Sequence, residues 1–264
     1  MHIDLSGRSA IVSGSTAGIG LAIATGLAGS GAHVVVTGRT QARVEEALAS
    51  IRASHPKASL VGHAGDLGTA QGATDLIAAF PDIDILVNNL GIFEPKAFVD
   101  ITDADWMHFF EVNVMSGVRL ARHYAQGMKE RGWGRIQFIS SESGVQIPAE
   151  MIHYGVTKTA QLGLSRGLAE DLAGTGVTVN ALLPGPTRSE GVGDFFGKIA
   201  SEKGIPLAEV ERDFIATHRP SSLIKRLATV DEVAAMSVYL ASEQASATTG
   251  AAVRVDGGVV RSIV

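Results

Sequence analysis

Short, almost wholly apolar runs alternate with longer helical patterns along most of the chain, and this alternation most constrains the fold. The run at residues 83–88, Ile-Asp-Ile-Leu-Val-Asn, is an example. Strands of this kind are typical of a parallel sheet whose two faces are both covered by helices. The sequence therefore predicts a single doubly wound α/β domain over residues 1–264, with a mostly parallel, seven-stranded sheet and helices on both faces.

The predicted elements follow one another in a regular order. Strands are predicted at residues 9–13, 33–37, 59–62, 83–88, 135–140, 177–183 and 251–255. Helices are predicted at residues 18–30, 41–53, 69–80, 103–130, 154–173 and 231–241. Crossovers of this length join parallel strands in a right-handed sense, which distributes the helices over the sheet.

Composition excludes several classes of function. The chain has 264 residues, 45% of them hydrophobic and 19% charged, which is enough to bury a sizeable core. The formal net charge of −5 argues against nucleic acid as a partner, because phosphate binding needs a basic patch. There is no cysteine, so disulfides and a cysteine nucleophile are excluded. The histidines show no ligand spacing, and we expect no metal site.

The apolar runs also bear on location. None approaches the roughly 18 residues that a membrane helix needs. The first residues carry an early acid and no long apolar stretch, unlike a secretory signal. We therefore expect a cytoplasmic protein that does not act at a membrane.

Residues 187–229 depart from the regular alternation of predicted strands and helices. No strand is predicted there, and helical stretches carry mixed charge and aromatic side chains. In a doubly wound fold, an insertion after the carboxyl end of a strand lies over the ligand crevice. This segment is predicted to form a substrate lid within the single domain.

A glycine-rich turn follows the first predicted strand, with the sequence Ser-Gly-Ser-Thr-Ala-Gly-Ile-Gly. Glycines let the backbone approach a pyrophosphate, and the N–H groups of the next helix point at it. The spacing differs from the usual G-x-G-x-x-G, and a plain strand–helix turn remains the alternative. The pattern favours dinucleotide binding by Gly14, Ser15, Thr16, Gly18, Ile19 and Gly20.

The end of the second predicted strand bears on the choice of cofactor. Arg39 stands near the position where an acid would hold the ribose 2′-hydroxyl of NAD. A guanidinium suits a 2′-phosphate, so NADP(H) is favoured and NAD(H) remains open. The alternative is a solvated arginine that opens a helix.

Tyr154 and Lys158 form a Y-x-x-x-K pattern at the start of a predicted helix, which places both side chains on one face. A nearby ammonium stabilises a phenolate and lowers the tyrosine pKa from its usual value of about 10. The pattern alone is weak. Ser141 follows the fifth predicted strand, and Asn113 lies in the long predicted helix.

Further candidates lie just past the ends of predicted strands, where an open α/β sheet binds its ligands. They are Asp66, Leu67, Asn89, Gly91, Pro184, Gly185 and Thr187.

Together these residues resemble the short-chain dehydrogenase/reductase family, in particular its 3-oxoacyl reductases, over residues 7–258. The resemblance implies a Rossmann-type fold and hydride transfer between a nicotinamide cofactor and an alcohol or ketone. Tyr154 would be the acid in reduction and the base in oxidation. Lys158 would lower its pKa and hold the nicotinamide ribose. Ser141 would bind the substrate oxygen, and Asn113 would anchor a water that links Lys158 to solvent.

The resemblance also implies the surroundings of the reaction. Gly14, Ile19, Asp66, Asn89 and Thr187 would line the cofactor, with Arg39 near the 2′-phosphate. The substrate pocket would include Ser143, Gln146, Met151 and Phe195, with Glu142 and Gln146 as candidate polar anchors. Relatives often assemble through the last strand and through the helices that hold Asn113 and Tyr154. We expect a homotetramer, with a dimer as the next alternative.

Two other functions are weighed against the oxidoreductase. The run Gly163-Leu-Ser-Arg-Gly167 matches the G-x-S-x-G of serine hydrolases, but Ser165 would lie inside a predicted helix rather than on a strained turn. A sensor that binds the nucleotide without turnover is the second alternative. Such a binder would have no need of Tyr154, Lys158 and Ser141.

Overall fold

A computed structural model describes residues 2–263 of the chain, without the side chains of residues 194 and 195. In chain order, the strands are β1 Ser9–Val12, β2 His33–Gly38, β3 Leu60–Ala64, β4 Ile85–Asn88, β5 Gly134–Ile139, β6 Val177–Pro184, β7 Thr187–Arg188, β8 Ala228–Thr229 and β9 Ala252–Val255. The α-helices are α1 Gly18–Gly29, α2 Gln41–Ser54, α3 Ala70–Ala79, α4 Asp103–Phe110, α5 Ser116–Arg131, α6 Ile152–Asp171, α7 Glu190–Lys203, α8 Leu207–His218 and α9 Val230–Leu240.

The main sheet has the strand order β3-β2-β1-β4-β5-β6-β9, and each pair is parallel. After β3 the chain crosses back, so that β4 pairs with β1 on the side opposite β2. This reversal opens a crevice beyond the carboxyl ends of β1 and β4, where doubly wound sheets bind ligands. The predicted seven-stranded, Rossmann-type domain is confirmed.

The two faces of the sheet bury separate hydrophobic cores. In β1, Ala10 and Val12 pack into the core beneath α1, α2 and α9, whereas Ile11 packs into the core beneath α3 and α5. All three side chains are fully buried. Because successive strand residues point to opposite faces, a strand with a core on each face is apolar throughout.

Threonine caps set the starts of several helices. Thr40 and Thr69 each accept a hydrogen bond from a backbone N–H of the first turn of α2 and α3. Thr229 and Glu232 form a reciprocal capping box at the start of α9. These caps satisfy N–H groups that have no partner within the helix.

The helix predicted at residues 103–130 is not continuous. A π-helical turn at Glu111–Met115 separates α4 from α5. A π-turn accommodates one extra residue, which leaves the hydrophobic pattern on either side intact and so hidden from sequence inspection.

Residues 187–229, which we call the lid, differ in one respect from the prediction of no strand. The short strands β7 and β8 pair in parallel at its two ends. Two-residue strands are too short to give a recognisable apolar run. Between them, α7 and α8 share a small core of Phe196, Val210, Ile215 and Leu227.

Candidate active site

A cleft of about 640 Å³ opens at the carboxyl ends of the central strands, beneath the lid. Many of the site residues predicted from the sequence line it: Ile19, Asn89, Gly91, Ser141, Ser143, Met151, Tyr154, Lys158, Pro184, Gly185 and Thr187. The fold therefore brings together residues from distant parts of the chain at one edge of the sheet.

The glycine-rich turn forms a cradle that side chains would fill. Gly14 and Gly18 have φ angles of +64° and +55°, in the left-handed region that favours glycine. A Cβ on Gly20 would lie 2.3 Å from the carbonyl oxygen of Gly14. Ser15 is buried beneath the turn, where its hydroxyl donates to the carbonyl of Val12.

Polar contacts hold this cradle at the mouth of β4. The amide of Asn89 donates to the carbonyl oxygens of Ser13 and Gly14, both at 3.0 Å. The residue before α1, Ala17, supplies no side-chain acceptor to the N–H groups of the first turn. An uncapped helix start beside half-buried backbone suits an anionic pyrophosphate. The residues present therefore fit a dinucleotide.

The other predicted cofactor residues lie past the ends of β2 and β3 or beside the glycine-rich turn. Arg39 is exposed directly after β2, and Thr16 packs against Gly38, where a Cβ would come within 2.4 Å of its methyl group. Leu67 is buried in the sheet core. Asp66 accepts a hydrogen bond from the N–H of Gly68 at 3.0 Å and is not the cap of α3, a role that Thr69 takes.

Tyr154 and Lys158 extend from the first turns of α6 into the cleft, and Ser141 reaches it from the end of β5. The Lys158 Nζ lies 5.6 Å from the centre of the Tyr154 ring and donates to the carbonyl of Ile139 at 2.9 Å. Desolvation lowers the pKa of Lys158 to about 8. Desolvation raises the pKa of Tyr154, while its hydrogen bond with Ser141 acts in the opposite direction. In the chain alone, desolvation thus outweighs the lowering of the Tyr154 pKa that the sequence predicts.

Asn113 reaches the site from the π-helical turn. Its Oδ1 accepts from the N–H of Ile92 at 2.7 Å, and its Nδ2 donates to the carbonyl of Ile92 and to the Thr157 hydroxyl, both at 3.0 Å. The side-chain amide therefore joins the loop after β4 to α6. π-turns are frequent at functional sites because the extra residue re-aims one side chain.

The substrate end of the cleft contains some of the predicted residues and not others. Ser143 and Met151 line it. Gln146 is exposed on the loop before α6 and is not among the described residues that line the cleft. The side chain of Phe195 lies outside the described part of the structure. The adjacent Phe196 does line the cleft, from the core of the lid.

The chain matches known proteins along nearly its whole length. A family model described as Enoyl-(Acyl carrier protein) reductase matches residues 14–260. Dehydrogenase/reductase SDR family member 4 of Caenorhabditis elegans is 33% identical over 258 residues, which cover 96% of this chain and 95% of that protein. The chain belongs to the short-chain dehydrogenase/reductase family.

Two further matches cover the full length of both compared chains. An uncharacterised oxidoreductase of Bacillus subtilis, YvaG, is 46% identical over 263 residues, which are 100% of each chain. The crystal structure of L-sorbose reductase from Gluconobacter frateurii, complexed with NADPH and L-sorbose, superimposes with a TM-score of 0.92 at 32% identity and covers 100% of each chain.

This short-chain dehydrogenase/reductase is an NAD(P)-dependent enzyme that transfers a hydride between its cofactor and a carbonyl or alcohol substrate. The hydrolase alternative fails on geometry. Ser165 is buried inside α6, whereas a hydrolase nucleophile needs a strained strand–helix turn that exposes its hydroxyl.

Gln161 is a site residue that the sequence did not reveal. Its Oε1 accepts from Lys158 Nζ at 3.2 Å, and its Nε2 donates to the backbone carbonyl of Asn113 at 2.6 Å. Gln161 therefore occupies a place between Lys158 and Asn113, where the family resemblance implies a water. The signal available in the sequence is its position one turn after Lys158 on the same helix face.

Glu142 and Arg219 were also missed as a pair. Glu142 is 4% exposed, and its Oε1 accepts from Nε of Arg219, at the end of α8, at 2.8 Å. A separation of 77 residues hides this contact from any local pattern. Glu142 lines the cleft, and both of its oxygens have partners: Oε1 bonds to Arg219, and Oε2 bonds to Ser141 and Ser143.

Proposed function

We propose that the enzyme interconverts a small neutral ketone and its secondary alcohol with NADP(H), using Tyr154 as the acid and base. The observation that carries this proposal is the convergence of Ser141, Tyr154 and Lys158 beside the glycine cradle. A hydroxyl pair next to a buried ammonium is the donor set that a carbonyl oxygen needs as it gains negative charge.

The roles of the side chains follow from their positions. The bound cofactor would supply a hydride in reduction and accept one in oxidation. Ser141 and Tyr154 would hold the substrate oxygen, and the Tyr154 hydroxyl would give it a proton as the carbonyl carbon is reduced. Lys158 would stabilise the phenolate that remains, and Asn113 would fix the loop after β4 against α6.

The residues that follow β2 support NADP(H) rather than NAD(H) as the cofactor. Arg39 follows this strand with no acid nearby in sequence, and its exposed guanidinium can reach a 2′-phosphate. L-sorbose reductase, which shares the fold and 32% identity, is complexed with NADPH.

A neutral substrate is supported by how two arginines of the lid are paired. Arg219 pairs with Glu142 and Glu150, and Arg188 pairs with Glu211. Apolar side chains make up much of the remaining lining: Phe93, Met151, Val192, Ile205, Val210 and Phe214. Cations that are already paired have little to offer an anionic substrate, whereas an alcohol or ketone with an apolar body suits this surface.

The lid role of residues 187–229, within one catalytic domain, is part of the proposal. The lid supplies one wall of the cleft, and its small core is separate from the two cores of the sheet. Glu190, at the start of α7, bonds to Arg43 of α2 with both oxygens at 3.0 Å, so the lid also reaches over the adenosine side.

We also propose a homotetramer in the cytoplasm, with a dimer as the next alternative. Within residues 2–263, no helix is long and apolar enough to cross a membrane. Exposed Phe98 and Val99, just before α4, and Met107, on α4, offer apolar surface for a partner subunit.

Titration with NADPH and NADH, followed by nicotinamide fluorescence, tests the proposal. We expect tight NADPH binding, weak NADH binding, and selective loss of NADPH affinity in Arg39→Ala. Arg52→Ala, an exposed change near the far end of α2, is the matched control. Equal loss of both cofactors would show that Arg39 does not recognise the 2′-phosphate. A ketone panel with NADPH then separates an enzyme from a sensor, which would bind the cofactor and turn over nothing.

A further inference from the structure

A buried ion pair joins the lid to the residue that follows the candidate catalytic serine. Glu142 comes directly after Ser141, and Arg219 comes directly after α8. Their side chains are 5% and 9% exposed, and their atoms are 2.8 Å apart. Burying two charges costs free energy even when they pair, so a pair at this place needs an explanation beyond general stability.

The carboxylate of Glu142 also holds the serine directly. The Ser141 hydroxyl donates to Glu142 Oε2 at 2.5 Å, and the same oxygen accepts from the N–H of Ser143 at 2.9 Å. In the chain alone, the single proton of Ser141 is thus directed to Glu142, and the N–H of Ser143 donates to the Ser141 oxygen at 3.1 Å. The hydroxyl must turn from this carboxylate to donate to a substrate oxygen. Glu142 fixes the orientation of one member of the hydroxyl pair.

The charged groups around Tyr154 come from three elements. Lys158 lies on the same helix, Glu142 on the turn after β5, and Arg219 on the lid. Arg219 also contacts Glu150, and Nδ1 of His218 lies 3.9 Å from Oε1 of Glu150. On the neighbouring side, His153 packs against the ring of Phe109.

These groups act on Tyr154 in opposite directions. Desolvation has the largest effect and raises the pKa of Tyr154, Glu142 raises it further, and Arg219 lowers it. A Glu142 charge without its partner would hold the tyrosine in its protonated form, whereas Arg219 offsets that charge.

We propose that Glu142 and Arg219 are positioning residues: Glu142 orients Ser141, and the lid delivers Arg219 to neutralise Glu142 beside Tyr154. Closing the lid and preparing the proton donor are then one event. This inference rests on the proposed function of Tyr154 and goes beyond it, because it assigns a role to a lid residue that acts through Glu142.

The test is the pH profile of alcohol oxidation with NADP⁺, measured on the alcohol of the best ketone in a panel of neutral ketones. Oxidation needs Tyr154 without its proton, so the ascending, low-pH limb of kcat reports its pKa. Arg219→Gln should move this limb to higher pH, and Glu142→Gln should move it to lower pH, each by about one unit. The double variant should return near the wild-type limb. Arg226→Gln, which breaks the exposed lid pair with Glu232, is the control and should leave the limb in place.

A merely structural pair would lower kcat in both single variants without opposite shifts, and that result would overturn the proposal. Arg219→Lys keeps the charge and should retain the wild-type limb even if its kcat falls. If Arg219→Gln does not fold, Glu142→Gln and Arg219→Lys still decide the matter, since equal limbs in these two variants would contradict it.

A second readout does not need turnover. Tyrosinate absorbance at alkaline pH, taken as the difference from Tyr154→Phe, should rise at lower pH in Glu142→Gln than in the wild type. The chain has only 3 tyrosines, so the difference isolates one of them. If Tyr154 ionises at lower pH in Glu142→Gln than in the wild type but no substrate turns over, only the proposed function is rejected. If substrate turns over but Tyr154 ionises at the same pH in both proteins, only the role of the ion pair is rejected.

Discussion

At the residue scale, the chemistry depends on polar side chains that the protein removes from water. Lys158 is 4% exposed and Asn113 is 1% exposed, yet each has hydrogen-bond partners from other segments. Low local dielectric strengthens such contacts and makes an unpaired group costly. The site is therefore rigid where protons move, and single substitutions there should separate chemistry from binding.

Tyr154→Phe removes one oxygen and keeps the ring. We expect cofactor affinity to stay within about twofold and kcat to fall by roughly 10²–10⁴, the usual contribution of a general acid. Stopped-flow turnover and nicotinamide fluorescence measure the two quantities. Turnover near the wild-type rate would remove Tyr154 from its proposed role.

Lys158→Met tests the cost of burying the ammonium. The pKa of Lys158 falls from 10.5 to about 8 on folding, so the unfolded chain holds more protons between these values. The wild type should therefore gain stability relative to the variant as pH rises from 8 to 10.5, by about 3 kcal/mol in total. Urea unfolding of both proteins at pH 7.5 and pH 10.5 measures this change. If the difference in unfolding free energy between the two proteins did not change with pH, Lys158 would not be desolvated.

At the element scale, turns rather than regular elements shape the site. The glycine cradle and the turn that carries Glu142 each follow a strand, and the π-turn that carries Asn113 lies between α4 and α5. Ile19 from the cradle and Glu142 line the cleft, and Asn113 fixes the loop at its edge through Ile92.

Gly20→Ala should disrupt the cradle. Its Cβ would meet the Gly14 carbonyl oxygen at 2.3 Å and the Asn89 amide at 2.5 Å, both parts of a fixed turn. We expect NADPH affinity to fall by at least tenfold, measured by fluorescence titration. In contrast, Gly167→Ala adds a methyl group to α6 with nothing within 4 Å, and should stabilise the protein by about 0.5–1 kcal/mol with unchanged affinity. Equal affinities in the two variants would contradict the cradle.

At the scale of the whole molecule, several apolar side chains of the described residues stay exposed outside the cores. Phe98, Val99 and Met107 are 61%, 88% and 69% exposed, on or just before α4. Leu223 is 79% exposed near the carboxyl end of β9, the edge strand of the sheet. These side chains adjoin the elements through which assembly is proposed, and burying them would remove apolar surface from water.

Size-exclusion chromatography with light scattering should give the mass of a tetramer, about four times 27.4 kDa. Val99→Asp should shift the protein to a smaller species, because a carboxylate in an apolar interface loses its hydration. Asp100→Asn, a change at the exposed neighbouring residue, is the control. A monomeric wild-type protein would reject the assembly.

Much of the fold could be predicted because its signals are local. Strands with a core on each face are apolar throughout. The turn after β1 is rich in glycine because its backbone adopts φ angles that favour glycine, and a glycine cluster is visible in the sequence. The positions of Ser141, Tyr154 and Lys158 followed from short patterns. The π-turn at Asn113 was hidden because an extra residue changes no composition, and β7 and β8 were too short to leave a pattern.

The doubly wound sheet and the residues at its carboxyl edge could be predicted because hydrophobic periodicity and turn chemistry are properties of neighbouring residues. Which distant groups meet at that edge depends on the packing of the folded chain. Gln161 bridges Lys158 and Asn113, and Arg219 pairs with Glu142 across 77 positions. Such contacts depend on how the lid and helices pack over the sheet. A short sequence pattern carries no information about residues that far apart in the chain.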